Sequence, residues 1–389
     1  MPARMPISHR LAPFGVSIFS EMTALAIEHD AINLGQGFPN WDGVDFVKEA
    51  ARQSLETGGS DQYPPSHGVP ALREAIANRY GPLLGRALDP ALEITVTSGC
   101  TEALAATFLG LIDPGDEVIL IEPFYDAYPV FVAMAGAVPR YVTLRAPDFE
   151  LDLKELRAAF SPRTKAIVVN NPHNPTGRVF SDDELGAIAG LCVEFDVIAI
   201  TDEVYEEMVY EGTHRRLATY DGMWQRTLTL SSVGKTFSLT GWKVGWGIGP
   251  PDLTAGLRSA HQFLTFTTPT PVQHGAVAAM SAPDDFYVSL RSGYLHKRDL
   301  LASGLESVGF EVHRPQGTYF MMAGFSVFDF EDDRSFCRHL VEKARVVAIP
   351  PSFFYHRPSD GASLVRFAFC KDEGVLSEAL ERLQVLVSP

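Results

Sequence analysis

Between about residues 46 and 285 the sequence alternates short apolar runs with longer stretches of helical character. Continuous apolar strands separated by helices are typical of a parallel sheet that is covered on both faces, because each strand is then buried on both sides. The sequence therefore predicts an α/β fold whose large domain has a mostly parallel sheet sandwiched by helices. The predicted strands are Glu93–Thr97, Asp116–Ile121, Ala166–Asn170, Val197–Ile200, Thr227–Leu230 and Val244–Ile248.

The two ends of the chain differ from this central part. Residues 286–389 combine helices with short strands around Tyr319–Met322 and Leu364–Phe369, which predicts a smaller α+β domain. Residues 1–45 are rich in Pro and Gly and are expected to form an arm that packs on other elements. We therefore predict an arm, a large domain over 46–285 and a small C-terminal domain.

The composition excludes several classes of protein. The 389 residues are 46% hydrophobic and 21% charged, as in globular proteins, and the net charge of −16 argues against a nucleic-acid or anionic-membrane partner. No apolar run is long enough to span a membrane, and the N-terminus lacks the apolar core of a signal peptide. The four cysteines are scattered, without metal-site or disulfide spacing, so we expect no metal and a cytoplasmic location.

One segment, Ser231–Lys243, is dense in small, hydroxyl and basic residues. It places Lys235 directly after the apolar run Thr227–Leu230, with Lys243 eight positions further on. A lysine attacks a carbonyl only as the neutral amine, which a crowded and partly dehydrated site favours. A second cation close by suits a phosphate. Most Gly-Lys pairs are solvated turns, however, so the interpretation depends on residues elsewhere in the chain.

Polar residues follow two of the predicted strands. Asp202 comes just past the end of one strand, and Asn174 lies in the turn after another. Ligands of open α/β sheets collect at the carboxyl ends of the strands. A buried carboxylate at that edge needs a cationic partner, such as a protonated ring nitrogen, and Asn174 and Tyr205 are placed to hydrogen-bond an oxygen on the same ring. Taken singly, Asp202 is better explained as a helix cap and Asn174 as a turn residue.

An anion site is predicted between residues 93 and 104, which read as a strand, a tight turn at Gly99 and a helix that begins near Thr101. The free N–H groups and the dipole at such a helix start bind phosphate, and Gly99 allows close approach of the backbone. The Thr101 hydroxyl adds a donor. Together with Ser232 and Lys243, this turn would surround a phosphate.

These segments resemble those of a known family. Asn174–Gly177, Asp202–Tyr205 and Ser232–Lys243 resemble the pyridoxal-phosphate (PLP) motifs of class I and II aminotransferases, which have fold type I. Arg366, within Leu364–Phe369, resembles the family's arginine that binds the substrate α-carboxylate. The likeness covers nearly the whole chain, with the motifs in the expected order and spacing.

Further stretches are similar to the branch that contains kynurenine–oxoglutarate or glutamine transaminases and bacterial methionine aminotransferases, and actinobacterial N-succinyldiaminopimelate aminotransferases look similarly close. Thr267 stands where the kynurenine branch often has a histidine, which leaves methionine, glutamine, leucine or phenylalanine open as substrates. The stretches are Asn33–Pro39, Glu122–Asp126, Pro315–Phe320, Val347–Pro350 and Phe367–Glu373.

The resemblance implies a role for each motif residue in a PLP site. Lys235 would hold PLP, Asp202 would keep its pyridine nitrogen protonated, and Asn174 and Tyr205 would bind its phenolic oxygen. Tyr125 matches the ring that stacks on the cofactor. The phosphate would be bound by Gly99, Cys100, Thr101, Ser232 and Lys243. Relatives often have Gly-Tyr or Gly-Ser where this chain has Cys100-Thr101, a departure that keeps the backbone donors.

The resemblance also extends to the substrate and to a second subunit. Gly37 and Asn174 would help Arg366 to bind the substrate carboxylate. Phe19 and Phe266 match positions that line the substrate side-chain pocket, although single phenylalanines are usually core residues. Tyr63 matches a tyrosine that reaches the phosphate of the neighbouring subunit, which implies a homodimer with shared active sites. Without the resemblance, Tyr63 would be read as part of a surface turn.

The implied activity is transfer of the amino group of an α-amino acid to a 2-oxo acid by a ping-pong mechanism. A cysteine-S-conjugate β-lyase is the main rival, because it would use the same Lys235 and Asp202. A PLP-sensing regulator would need a basic DNA-binding domain, for which the chain has neither the length nor the charge.

Overall fold

The computed structural model describes residues 7–387. No helix in that range is both long and apolar enough to cross a membrane. The strands are β1 (Ile32–Asn33), β2 (Ile94–Thr97), β3 (Glu117–Glu122), β4 (Val138–Thr143), β5 (Thr164–Asn170), β6 (Ile198–Asp202), β7 (Thr227–Ser232), β8 (Gly245–Ile248), β9 (Glu311–His313), β10 (Phe320–Gly324), β11 (Val346–Val347) and β12 (Leu364–Ala368). The α-helices are α1 (Ile18–Glu28), α2 (Asp45–Thr57), α3 (Pro70–Leu83), α4 (Gly99–Leu111), α5 (Ala127–Ala135), α6 (Leu153–Ala159), α7 (Asp182–Phe195), α8 (Val233–Thr236), α9 (Pro251–Leu264), α10 (Thr270–Met280), α11 (Asp284–Val308), α12 (Asp333–His339) and α13 (Glu373–Leu383).

A seven-stranded sheet forms the centre of the described chain, in the order β2-β8-β7-β6-β5-β3-β4. The neighbours from β7 to β4 are parallel, whereas β8 runs antiparallel to β7 and β2. Successive side chains of β5 belong to different hydrophobic clusters. Val168 lies in the cluster that contains residues of α4, and Ile167 lies in the cluster that contains residues of α7. This two-residue period buries both faces of the strand. The predicted mostly parallel sheet between helices is confirmed.

The structure corrects three local predictions. β4 was not predicted, because its first four residues alternate between exposed and half-buried and include Pro139 and Arg140; it is the edge strand, where both residues are tolerated. Asp202 is the last residue of β6 and does not lie beyond the strand. Helix α4 begins at Gly99, two residues before Thr101.

Two smaller sheets lie outside the central one. β9, β10 and β12 form an antiparallel sheet, and β1 pairs in parallel with β11. Ile32 is opposite Val346, so the N-terminal part of the chain is joined to the C-terminal part. The β1–β11 pairing agrees with an arm that packs on the C-terminal part of the chain. The division at residues 45 and 285 stays a prediction. Residues 1–6 of the arm lie outside the described range.

Candidate active site

The carboxyl ends of three adjacent strands bring the central polar residues together. The register places Asn170 of β5 beside Asp202 of β6, and Asp202 beside Leu230 of β7. The chain then leaves β7 through Ser232 and enters the short helix α8, which carries Lys235. Parallel neighbours end at the same edge of a sheet, so Asp202 and Lys235 both line one cavity of about 340 Å³.

Most of the residues predicted from the sequence line this cavity. Two do not: Tyr63 and Phe266 lie outside it and pack edge to face against each other, with ring centroids 5.4 Å apart. Tyr63 is 83% exposed. The predicted residues that line the cavity are Phe19, Gly37, Gly99, Cys100, Thr101, Tyr125, Asn174, Asp202, Tyr205, Ser232, Lys235, Lys243 and Arg366.

Asp202 is buried and surrounded by hydrogen-bond donors. The Tyr128 hydroxyl donates to its Oδ2 at 2.7 Å, while the Cys100 thiol and the Val204 N–H donate to Oδ1 at 3.7 and 3.3 Å. Burial raises the pKa of Asp202, and the donors from Tyr128 and Val204 oppose that rise because they stabilise the carboxylate. A ligand cation would be a natural further partner for this buried carboxylate.

Lys235 lies in an environment that favours its neutral amine. Its Nζ is 3.4 Å from the Gly37 carbonyl oxygen and 5.7 Å from the ring centroids of both Tyr205 and Tyr319. Burial lowers the pKa of Lys235 from its ordinary value. A larger fraction of this amine is therefore neutral at a given pH than for a solvated lysine, which suits a nucleophile or a general base.

Arg366, in β12, is only 1% exposed. Its Nη1 donates to Asn174 Oδ1 at 3.1 Å and its Nη2 to the Gly35 carbonyl oxygen at 2.8 Å, while Nε has no protein partner in the described chain. The Phe320 ring centroid lies 4.1 Å from Cζ. Burial lowers the pKa of Arg366 to about 10, which still leaves it cationic at neutral pH. A buried cation at the cavity wall is suited to a carboxylate.

The position of Gly37 admits no side chain. A Cβ there would lie 2.4 Å from Phe320 Cζ and 2.9 Å from Tyr319 Cε2. The Gly37 carbonyl also accepts the Tyr319 hydroxyl at 2.5 Å. The glycine therefore lets the N-terminal segment approach the rings that surround Lys235.

The predicted anion turn is present at the start of α4. Gly99 has φ +79°, and a Cβ on it would lie 3.1 Å from Lys243 Cε. Lys243 Nζ is 3.5 Å from Thr101 Oγ1. The free N–H groups of a 13-residue helix thus meet a lysine at the cavity wall. Burial raises the pKa of the Cys100 thiol well above its ordinary value, which disfavours a nucleophilic thiolate.

The sequence interpretation missed several residues of this site. Asn170 holds the turn in place, because its Nδ2 donates to the Asp202 carbonyl at 2.9 Å and its Oδ1 accepts the Asn174 N–H at 2.7 Å. The sequence signal that could have identified Asn170 is its place as a polar residue at the end of a buried apolar strand. Tyr128 and Phe320 gave no such signal, since aromatic residues in apolar surroundings are usually core.

A buried charged cluster lies next to Asp202 in the chain. Glu203, Glu206 and His214 are spaced closely enough to hold a metal ion. Arg216, however, forms ion pairs with both glutamates, and His214 Nε2 lies 2.8 Å from Glu203 Oε2. The arginine already supplies the positive charge that the carboxylates need.

A mostly parallel sheet whose strand ends carry a buried lysine and aspartate, with a buried arginine at the same cavity, defines a fold type I enzyme. The family model described as aminotransferase class I and II matches residues 29–383, and the chain belongs to this family.

Its relatives include the "Probable N-succinyldiaminopimelate aminotransferase DapC" of Mycobacterium tuberculosis, which is 46% identical over 97% of this chain and 98% of the relative. A solved structure of N-succinyldiaminopimelate aminotransferase from that organism has a TM-score of 0.94, with 46% identity and coverage of 98% and 100% of the two chains. The kynurenine–oxoglutarate transaminase of Dictyostelium discoideum is 39% identical (97% and 95% covered), and the methionine aminotransferase of Escherichia coli is 38% identical (97% of each). The predicted family, fold type and aminotransferase activity are confirmed.

Proposed function

We propose that this aminotransferase holds PLP in the cavity described above, bound covalently by Lys235. The observation that carries the proposal is that a lysine of lowered pKa, a buried carboxylate and a buried arginine all line one cavity. The donor set fits this cofactor. The Lys235 amine would face the aldehyde of the cofactor, and the Asp202 carboxylate would face its pyridine nitrogen. The start of α4 and Lys243 would face its phosphate.

The remaining cavity residues would bind the other parts of the cofactor. Asn174 and Tyr205 would bind its phenolic oxygen, and Tyr125 would stack on its ring. The phosphate would be bound by the N–H groups or side chains of Gly99, Cys100, Thr101, Ser232 and Lys243.

The chain's own groups then move the proton and hold the substrate. When bound, PLP supplies an electron sink for the electrons released at the substrate Cα. The Lys235 amine takes the proton from Cα as a general base and delivers it as a general acid. As a carboxylate, Asp202 would balance the charge of a protonated ring nitrogen. Arg366, with Asn174 and Gly37, binds the α-carboxylate, and a 2-oxo acid receives the amino group in the second half-reaction.

For the amino donor we place N-succinyldiaminopimelate first, because the relative named for it has the greater identity, 46% against 39% and 38% for the two others. Methionine, glutamine, aromatic amino acids and kynurenine follow as alternatives. Phe19 lines the cavity and stacks on Phe354, with centroids 6.0 Å apart, so it would contact the substrate side chain.

We also propose a homodimer in the cytoplasm. Tyr63 is 83% exposed, and its ring packs edge to face against Phe266, which is 47% exposed. Exposed aromatic side chains this close together are typical of an interface. Tyr63 would reach the phosphate of the partner subunit, and Phe266 would reach its substrate pocket. The free cysteines, all buried, fit a reducing compartment.

The test is to load the purified enzyme with PLP and to record its absorbance as single amino acids are added without a 2-oxo acid. Conversion of the cofactor band to that of the amine form supports transamination, and the ranking of the donors identifies the substrate. Pyruvate released from a cysteine conjugate in the same assay would indicate the lyase instead. Absence of any PLP-derived band would overturn the proposal.

Substitution of the carboxylate-binding arginine should weaken substrate binding. We expect Arg366→Lys to lower kcat/KM for the amino donor by about a hundredfold, mainly through KM, because lysine cannot form a bidentate pair. Steady-state kinetics at saturating 2-oxo acid would measure this. Arg298→Lys is the matched control, since Arg298 is also buried but pairs with Glu211 outside the cavity. Equal KM values in the two variants would contradict the role of Arg366.

A further inference from the structure

His261, near the end of α9, is 1% exposed and joins two distant segments. Its Nε2 lies 2.7 Å from the Ser66 carbonyl oxygen, and its Nδ1 lies 2.9 and 3.0 Å from the two carboxylate oxygens of Glu102. A carbonyl and a carboxylate only accept hydrogen bonds, so both ring nitrogens must donate. With Glu102 ionised, this geometry fits a buried imidazolium.

The carboxylate in this pair belongs to the anion turn. Glu102 lies in the first turn of α4, and its Oε2 accepts the Ser98 N–H at 3.0 Å. It thus fixes the backbone immediately before Gly99. An unpaired negative charge at this place would repel a phosphate bound by the same turn, whereas a paired one is largely neutralised.

The second residue that His261 contacts, Ser66, lies close to Tyr63 in the sequence. Ser66 is three residues after Tyr63, and its carbonyl is fixed by His261. A single side chain therefore joins the anion turn to the segment that we propose to reach the partner subunit.

We propose that His261 is a positioning residue of the cofactor site: as an imidazolium it neutralises Glu102 and holds the Ser98–Glu102 turn in its phosphate-binding form. This inference rests on the proposed PLP function and adds to it a pH-dependent control of cofactor affinity.

The charged groups around His261 set the direction of that pH dependence. Burial and the nearby Arg258 lower the pKa of His261, but the Glu102 carboxylate and the Ser66 carbonyl outweigh them, so its pKa is raised. The neighbouring His67, whose pKa burial lowers to about 4, is neutral at physiological pH. The imidazolium is therefore lost only as the pH rises through this raised pKa, and phosphate affinity should fall over the same range.

The experiment measures the affinity of the apoenzyme for pyridoxamine 5′-phosphate from neutral to alkaline pH. This probe needs no covalent bond, so titration of Lys235 has little influence. We expect His261→Gln to weaken binding about tenfold or more at neutral pH, because it leaves Glu102 charged and unpaired. Glu102→Gln removes the anion, so the affinity of this variant should not fall as the pH rises. The double variant should regain most of the lost affinity.

His67→Gln is the matched control, and its affinity and pH profile should equal those of the wild type. A double variant that binds no better than His261→Gln, with Glu102→Gln equally weakened, would mean a purely structural contact and would overturn the inference. A normal wild-type affinity that does not change with pH would overturn it as well. If the wild type binds no pyridoxamine 5′-phosphate at all, the proposed function fails, and this inference fails with it.

Discussion

Lys235→Ala is expected to lower kcat by about a thousandfold or more, because the variant has no group to move the proton at the substrate Cα. The anion turn and Asp202 remain in this variant, so PLP should still bind, without the absorbance of the covalently held form. Small primary amines added to the solution should restore part of the activity, since they replace the missing base. Single-turnover kinetics with the best amino donor would measure both effects.

The matched control is Lys154→Ala, which removes a lysine from the exposed surface of α6. Its kcat and absorbance should equal those of the wild type. If Lys235→Ala keeps comparable turnover, Lys235 is not the residue that holds the cofactor, and the proposed mechanism is wrong.

Asp202→Asn is expected to lower kcat by about a hundredfold to ten-thousandfold while leaving PLP bound, because the substitution keeps the shape of the side chain and removes its charge. Without the carboxylate, the ring nitrogen loses the partner that keeps it protonated, and the cofactor becomes a poorer electron sink. Lys235 and the anion turn would still hold PLP. Measurement of kcat together with the cofactor content of the purified variant separates these two consequences.

A second buried aspartate provides the control. Asp333 accepts the Ser352 N–H at 2.6 Å and does not line the cavity. Asp333→Asn should therefore affect thermal stability more than kcat. If both aspartate variants lost activity in proportion to their loss of stability, Asp202 would be a structural residue and not part of the reaction.

The fold was predictable because its signals are local. Apolar runs such as Ala166–Asn170 are long enough to be read as buried strands, and the residues that follow them contain the turn chemistry of an α/β sheet. β4 was missed for the complementary reason: an edge strand with one face exposed has no continuous apolar run. Local patterns report burial, and burial of an edge strand is incomplete.

Residues of the candidate site were predictable only where a reactive or charged side chain lies within a recognisable sequence motif. Lys235, Asp202 and Arg366 were identified because a motif surrounds each of them, and the structure places all three at one cavity. Their catalytic roles stay predictions. Tyr63 and Phe266 also came from motifs, but they lie outside the cavity of their own chain and would be explained by a partner subunit.

The sequence by itself determined six of the seven strands of the central sheet, the family and the motif residues, because each is encoded in neighbouring positions. Only the tertiary structure showed that Tyr128 donates to Asp202 across 74 positions and that His261 lies between Ser66 and Glu102, 195 and 159 positions away. Contacts of this kind depend on how helices pack on the sheet. No local pattern records them, since a buried histidine looks the same in the sequence whether it is neutral or charged.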